Sequence, residues 1–332
     1  MKLVQQNLLL TALMSFLFFG SALGSEKDSL LRSEIRIQVD NDAFLFRAVD
    51  QYYSSGIMAN YRWIDNAGKK TSAWASRWKR YEKTIWSLGM RHRMYTPKTL
   101  KTVYQPLIDR PYAGWVELKG GVDYLFENSK ISSELYLGWL GPGSKSAEIH
   151  QYWHEMLNFE QPTGWETYQV RDQPTVQLKI DLSKKVVGNQ NLELIAESSA
   201  DLGTIHQFLT VGGFTRLGYA QPIGQSAYSG GNMGLARKKL NQIHADDRTR
   251  DFYFFFRLSY TKVYRNITVE GELVGDVPDF KGQLNDNILK REIGFQRGGY
   301  YFDWSISYVW MSSEMALNDG HEYVTISLSH RL

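Results

Sequence analysis

The strongest constraint on the fold is a two-residue alternation that recurs along most of the chain. Phe302, Trp304, Ile306, Tyr308 and Trp310 alternate with Asp303, Ser305 and Ser307. Phe252, Phe254, Phe256, Leu258 and Tyr260 alternate with Arg257, Ser259 and Thr261, and Val176, Leu178, Ile180 and Leu182 oppose Gln177, Lys179 and Asp181. Segments 131–139 and 324–328 repeat the pattern. A period of two is that of a strand with unlike faces. Its apolar face meets a core in a soluble sandwich and lipid in an outer-membrane barrel. The aromatic fraction of 14%, gathered near strand ends, favours lipid interfaces.

The amino terminus reads as a secretory signal over 1–24: Lys2 is the basic region, Leu8 to Phe19 the apolar stretch, and Ala22-Leu23-Gly24 a small-x-small cleavage site. No later window has the long uncharged run of a membrane helix. An exported chain of this kind is either free beyond the inner membrane or crosses a second membrane as a closed barrel, since only closure satisfies every backbone group in lipid. With no cysteine among its 332 residues, the chain has neither disulfides nor thiolate metal ligands. Its charge of +3, falling to +2 without Lys2, is too even for a nucleic-acid binder.

Residues 25–332 are therefore expected to form one all-β domain, an antiparallel transmembrane barrel of about twelve strands. The strands are placed at 33–42, 52–64, 84–95, 111–127, 130–140, 166–183, 190–202, 205–220, 250–264, 289–298, 300–311 and 321–332. A thirteenth candidate, Ile267 to Val274, is assigned to a loop because bacterial single-chain barrels have even strand numbers. Long connections at 96–110, 141–165, 221–249 and 265–288 alternate with tight ones, as expected of long loops at one end and short turns at the other.

Polar groups concentrate where the first two strands meet their loop: Asp40-Asn41-Asp42, then Asp50-Gln51-Tyr52-Tyr53-Ser54-Ser55-Gly56. Such groups are costly near apolar surroundings unless they bind one another or a ligand. Asn41 shares parity with Ile35, Ile37 and Val39, and Asp42 with Arg36 and Gln38, so the pair is expected to straddle the wall at a site opening sideways toward the outer leaflet. Within the connection 141–165, Ile149, Trp153, Met156 and Leu157 fall at helical spacing, with Ser144 or Ser146 as cap and Pro162 as terminator. On this extracellular helix His150 and His154 share a face, and Glu160 follows. Three readings stay open: surface histidines at an interface, two zinc ligands with Glu160 or a rim carboxylate as the third, or a general-base histidine beside a hard cation that polarises an ester carbonyl. Lys98, Lys101 and Arg110 lie in or beside the loop after Thr96-Pro97 and are candidate phosphate contacts or solvated charges.

Taken together, Asn41-Asp42-x-Phe44, Asp50-x-x-Tyr53-Ser54-x-Gly56, Met94-Tyr95-Thr96-Pro97, Asp109-Arg110-Pro111-Tyr112-Ala113-Gly114-Trp115, His154 with Glu160, Pro162-x-Gly164-Trp165 and Arg265-Asn266-Ile267 resemble the outer-membrane lipid A 3′-O-deacylase family across essentially the whole mature chain. The resemblance implies a twelve-stranded barrel with its site between the wall and a helical extracellular loop, and Ca²⁺-dependent removal of the 3′-acyloxyacyl group of lipid A. It implies His154 as base, Glu160 in support of it or of the metal, and Asn41, Asp42 and Ser54 completing the site, with Asp42 and Glu160 as candidate metal ligands. Three positions depart from the family pattern: Ser54 stands for its threonine, and His150 and His92 for glutamines. His92, His150, Lys101 and Arg110 are candidate substrate contacts. Expected partners are lipid A or lipopolysaccharide, the surrounding outer-membrane lipids and, in a homodimer, a second copy. A phospholipase using the same calcium chemistry and a non-catalytic, porin-like barrel are the competing functions.

Overall fold

The computed structural model describes residues 30–45, 50–64, 77–100, 109–236, 250–271, 283–316 and 318–332. The expected signal segment and Lys101 lie outside them. Twelve antiparallel strands close into a barrel. In chain order they are β2 (Ser33–Asn41), β3 (Tyr52–Ile64), β4 (Tyr81–Thr96), β5 (Ala113–Phe126), β6 (Ser129–Leu140), β7 (Gln173–Gly188), β8 (Leu192–Gly203), β9 (His206–Tyr219), β11 (Phe252–Asn266), β12 (Asn287–Gly298), β13 (Phe302–Met311) and β14 (His321–Arg331). The last strand pairs with the first, Ile326 opposite Val39, which leaves no open edge. Two short strands, β1 (Leu30–Leu31) and β10 (Leu235–Ala236), pair separately. Among the described residues no helix is long and apolar enough to cross a membrane.

The alternation sorts as lipid outside and polar lumen inside. Leu88, Leu118, Leu137, Phe254, Ile293 and Trp304 are exposed on the outer wall. Their neighbours in sequence face inward and pair there. Arg91 and Arg93 both reach Glu117, at 2.8 and 3.0 Å. Arg257 bridges Glu197 and Glu292 at 2.8 and 2.6 Å. Pairing offsets the desolvation cost of these inward charges.

Both ends of the lumen are closed. At the end where β2 begins and β14 finishes, the terminal end, Ile223, Ser226, Ser229 and Met233 are buried, and Arg62 links Glu34 and Asp123 to the Ser229 carbonyl. The connection 221–249, expected among the long loops of the opposite end, thus departs from and returns to the terminal end. The expected strand order already implies this end, because 221–249 joins the eighth strand to the ninth and so lies on the side of the tight turn at 127–129; that it plugs the lumen is not legible, because a plug and an external loop both read as irregular polar sequence. At the other end, the rim, Tyr53, Tyr95, Trp115, Leu140, Ile267 and Tyr323 pack as an apolar cap.

Two expected elements shift. Strand β7 begins at Gln173, because a helical turn, Trp165–Tyr168, and an extended stretch fill 165–172. Ile267–Glu270 is also a helical turn, capped by Asn266 accepting from the Thr268 amide at 3.2 Å. The candidate thirteenth strand is therefore absent at its start, and its remainder lies outside the described residues.

Candidate active site at the rim

Helix α1 (Ser146–Leu157) forms in the loop between β6 and β7. It ends five residues before Pro162, at a C-cap where Asn158 adopts a left-handed φ of 54° and returns its amide to the Glu155 carbonyl. In its first turn the Ser146 amide donates to Ser144 Oγ at 3.4 Å, and the N-cap residue, Lys145, gives no side-chain cap. The buried stripe is polar: Ser146, His150 and His154, at i, i+4 and i+8. Ile149, Trp153 and Leu157 are only half-buried, and Met156 is exposed. The helix thus buries its histidines rather than its apolar residues.

The wall admits this helix closely. Gly114 stands on the outward parity of β5, two residues before Val116 and four before Leu118, and a Cβ there would lie 2.1 Å from Ser146 Oγ. His92, on the outward parity of β4 with Leu88 and Met90, bonds Ser146 Oγ at 2.9 Å. Helix α1 therefore leans on the outside of the wall over β4 and β5, and the site faces sideways, toward lipid. Ser146, which His92 meets, lies one turn before His150 on the same helix face.

Asp50 is the centre of the cluster, and its role was not read from the sequence. His154 Nε2 lies 2.6 Å and His150 Nε2 3.3 Å from Asp50 Oδ2. The two imidazoles sit edge to face with centroids 4.3 Å apart. His154 Nδ1–H donates to the main-chain carbonyl of Glu160, while the Glu160 residue itself is exposed. Glu160 thus reaches His154 through its backbone carbonyl. Trp165 Nε1–H donates to His150 Nδ1 at 3.0 Å, and Trp165 packs 4.8 Å from Tyr112. The ligand atoms of Asp50, His150 and His154 all lie within 4.8 Å of one another, a spacing that would suit a metal ion. Asp50 was legible only as part of a motif; its partners come from a helix about a hundred residues away.

Beside this cluster Asp42 is buried. Its Oδ2 accepts from the Gln51 amide at 3.0 Å, and its Oδ1 has no hydrogen-bond partner among the described residues. Burial, then the Asp50 charge, holds the Asp42 carboxyl well above the usual aspartate range. Asp50 moves the other way: burial alone would raise it, but hydrogen bonds and charge from His150 and His154 bring it far below. Burial lowers His150, against the pull of Asp50.

Ser54 is an extra residue in β3, where the pairing with β4 steps from Tyr53–Tyr95 to Ser55–Met94. Such a bulge re-aims a side chain. Its Oγ lies 2.6 Å from Thr96 Oγ1, and Asp42 donates its amide to the Ser54 carbonyl at 3.4 Å. Tyr52, just before it, has a φ of 62°, costly for an aromatic residue and typical of functional rims. Asn41 closes a local turn, its Oδ1 accepting from the Ala43 amide at 2.7 Å, and bonds neither histidine. Arg110 is fully buried against Glu314 at 2.9 Å and Thr268, under Tyr95. It ties rim loops together, so the candidate phosphate contact is in fact a structural pair; its charge in the sequence could not reveal the Glu314 partner 204 residues away.

The description "Outer membrane protein LpxR" matches residues 8–332. The chain belongs to the LpxR family, the outer-membrane lipid A deacylase family its motifs resemble. Among solved structures, LpxR from Salmonella typhimurium superposes with a TM-score of 0.68 at 16% identity, covering 90% of this chain and 100% of that one. The β domain of the Bordetella autotransporter BrkA matches with a TM-score of 0.42 at 9% identity, covering 92% and 99%. The KdgM porin matches with a TM-score of 0.37 at 7% identity, covering 90% and 99%. No curated protein sequence matches significantly. LpxR family membership places the barrel in the outer membrane.

Proposed function

We propose that this LpxR family member hydrolyses the ester that joins the 3′-acyloxyacyl group to lipid A, with His154 as general base and Ca²⁺ as cofactor. The observation that carries the reading is the polar face of α1, set against the outer wall, with a histidine anchored at Nδ1. A lipid whose acyl chains stay in the leaflet can present its ester there without entering the lumen.

Once the Nε2 proton shared with Asp50 Oδ2 has left to solvent, water takes the place of that carboxylate at His154 Nε2 and donates its second hydrogen to it. His154 accepts the water's proton at Nε2 while Nδ1–H stays on the Glu160 carbonyl, so the ring needs no reorientation as it becomes charged. The hydroxide adds to the ester carbonyl. As the intermediate collapses, the proton passes from Nε2 to the departing 3′-oxygen of the sugar, leaving the free acyloxyacyl acid and a 3′-hydroxyl. Ser54 Oγ and Asn41 line the rim beside the reacting ester.

The residues present fit a hard cation. The unpartnered buried Oδ1 of Asp42 and the crowding of Asp42 with Asp50 call for positive charge, and an all-oxygen donor set suits calcium. Asp42 and Glu160 would hold it, and when bound it supplies stabilisation for the oxyanion that forms at the ester carbonyl.

Mass spectrometry of lipid A from cells producing the wild-type chain or His154→Ala, with calcium supplied, tests the reading. The expected result is loss of the 3′-linked acyloxyacyl mass with the wild type, and a rate reduced roughly 10²- to 10⁴-fold in the variant. Unchanged lipid A with both, together with release of fatty acid from glycerophospholipid, would replace the reading by a phospholipase.

A further inference from the structure

His150 stands where the family pattern has an amide, and a second imidazole beside the base raises the question of which ring does what. Hydrogen-bond roles answer it. The Trp165 indole can only donate, so the 3.0 Å contact from its Nε1–H requires an unprotonated Nδ1 on His150. The proton of a neutral His150 ring is then on Nε2, the atom that faces Asp50 Oδ2 at 3.3 Å. His154 has the opposite arrangement, because its Nδ1 faces a carbonyl, which can only accept. One ring therefore carries its proton toward Asp50, and the other brings its exchangeable nitrogen to the same oxygen.

The indole is itself held. It packs on Tyr112, whose amide donates to the Tyr168 carbonyl at 2.9 Å and whose hydroxyl donates to the Leu100 carbonyl at 3.1 Å. His150 and Trp165 are both nearly inaccessible, so water cannot readily replace either partner.

We propose that His150 is a positioning residue: Trp165 fixes it as the Nε2–H tautomer, and in that form it works as an acceptor and donor pair that pins Asp50 against His154, taking no part as base or metal ligand. An amide side chain offers the same two functions, an oxygen for the indole and an N–H for the carboxylate. A neutral imidazole locked in one tautomer is thus a functional substitute for glutamine at this position. The metal-like spacing of the three residues does not make His150 a ligand, since a ligating Nε2 must present a lone pair and this one presents a hydrogen.

The inference deepens the hydrolase reading and rests on it for its kinetic consequences, but the tautomer can be observed without turnover. In ¹⁵N-histidine NMR of the full chain in nanodiscs, with His150→Gln used for assignment, His150 is expected to show a protonated Nε2 and an unprotonated Nδ1, and Trp165→Phe to abolish that single-tautomer pattern. In deacylation assays His150→Gln is expected to stay within roughly threefold of wild type, while His150→Leu and Trp165→Phe fall roughly 10- to 100-fold, in kcat rather than KM. A protonated Nδ1 in the wild type, or a folded His150→Gln barrel as slow as His150→Leu, overturns the proposal. A wild type that shows the expected tautomer and releases no acyl chain would sink the hydrolase reading instead.

Discussion

Asp50 Oδ2 lies 2.6 Å from His154 Nε2, and the same oxygen takes the hydrogen of His150. One carboxylate oxygen thus joins a loop residue to two turns of a helix about a hundred residues further on. Removing it should release the imidazole of His154 from one of its two anchors. Asp50→Ala is expected to lower kcat roughly 10- to 100-fold with little change in KM. Asp50→Asn should fall at least as far, because an amide N–H donated to Nε2 ties up the lone pair that the base needs. Steady-state kinetics on both variants in detergent-solubilised lipid A checks this; a full-speed Asp50→Asn would remove Asp50 from the mechanism.

The two rim aspartates titrate in opposite directions, and stability should follow. Asp50 is lowered in the folded state, so its contribution is present above the ordinary aspartate pKa of about 3.9 and is lost as pH falls below it. Asp42 is raised, so its contribution is present below that ordinary value and is lost as pH rises through the folded value. Above that folded value, without calcium, the ionised Asp42 therefore loosens the rim. The thermal unfolding temperature in calcium-free detergent should fall as pH rises through it in the wild type and recover with calcium. Asp42→Asn should show neither change, along with loss of calcium-dependent turnover.

Much of the barrel was legible because a strand's two faces differ in every layer. The bounds of β3, Tyr52 to Ile64, follow directly from the alternation and the polar cluster before it. The helix was legible from Ile149, Trp153, Met156 and Leu157, yet the face it buries is the other one, because helical spacing reports a stripe and not what the stripe meets. Asp50, Trp165 and the Arg110–Glu314 pair were not assigned their roles, since each depends on a contact between separate loops. The segment 221–236 was grouped with the long loops of the rim although the strand order sets it at the other end, and its plugging was not legible for the same reason: its partners Arg62, Asp251 and Asp303 are scattered over three strand ends.

Glu160 separates two roles that one residue number combines. Its main-chain carbonyl anchors His154 Nδ1, and that contact survives any side-chain change, whereas a cation would engage its carboxylate. Glu160→Ala should keep near wild-type turnover at saturating calcium and require roughly tenfold more calcium to reach half of it. Calcium titrations of activity distinguish the outcomes: a loss that no calcium concentration restores would mean that the carboxylate acts on His154 itself.

The charged lumen predicts how the barrel treats ions. Arg91 and Arg93 share Glu117, Lys119 pairs with Glu134, and Arg257 spans Glu197 and Glu292, so the cross-section is filled with paired groups rather than water. Apolar side chains close the rim above, and the 221–236 segment closes the terminal end below. A permeating ion would have to displace pairs whose rupture leaves a buried charge, at about 3–5 kcal/mol each. The barrel should therefore show no porin-sized steps in planar bilayers, and deleting 223–234 alone should leave it silent because the charge layer and the rim cap persist. Glu117→Ala strands two guanidinium groups and should lower the thermal unfolding temperature in detergent without opening a pore. Regular conductance by the wild type would instead favour the porin-like reading over a hydrolase that works on the outer face of its wall.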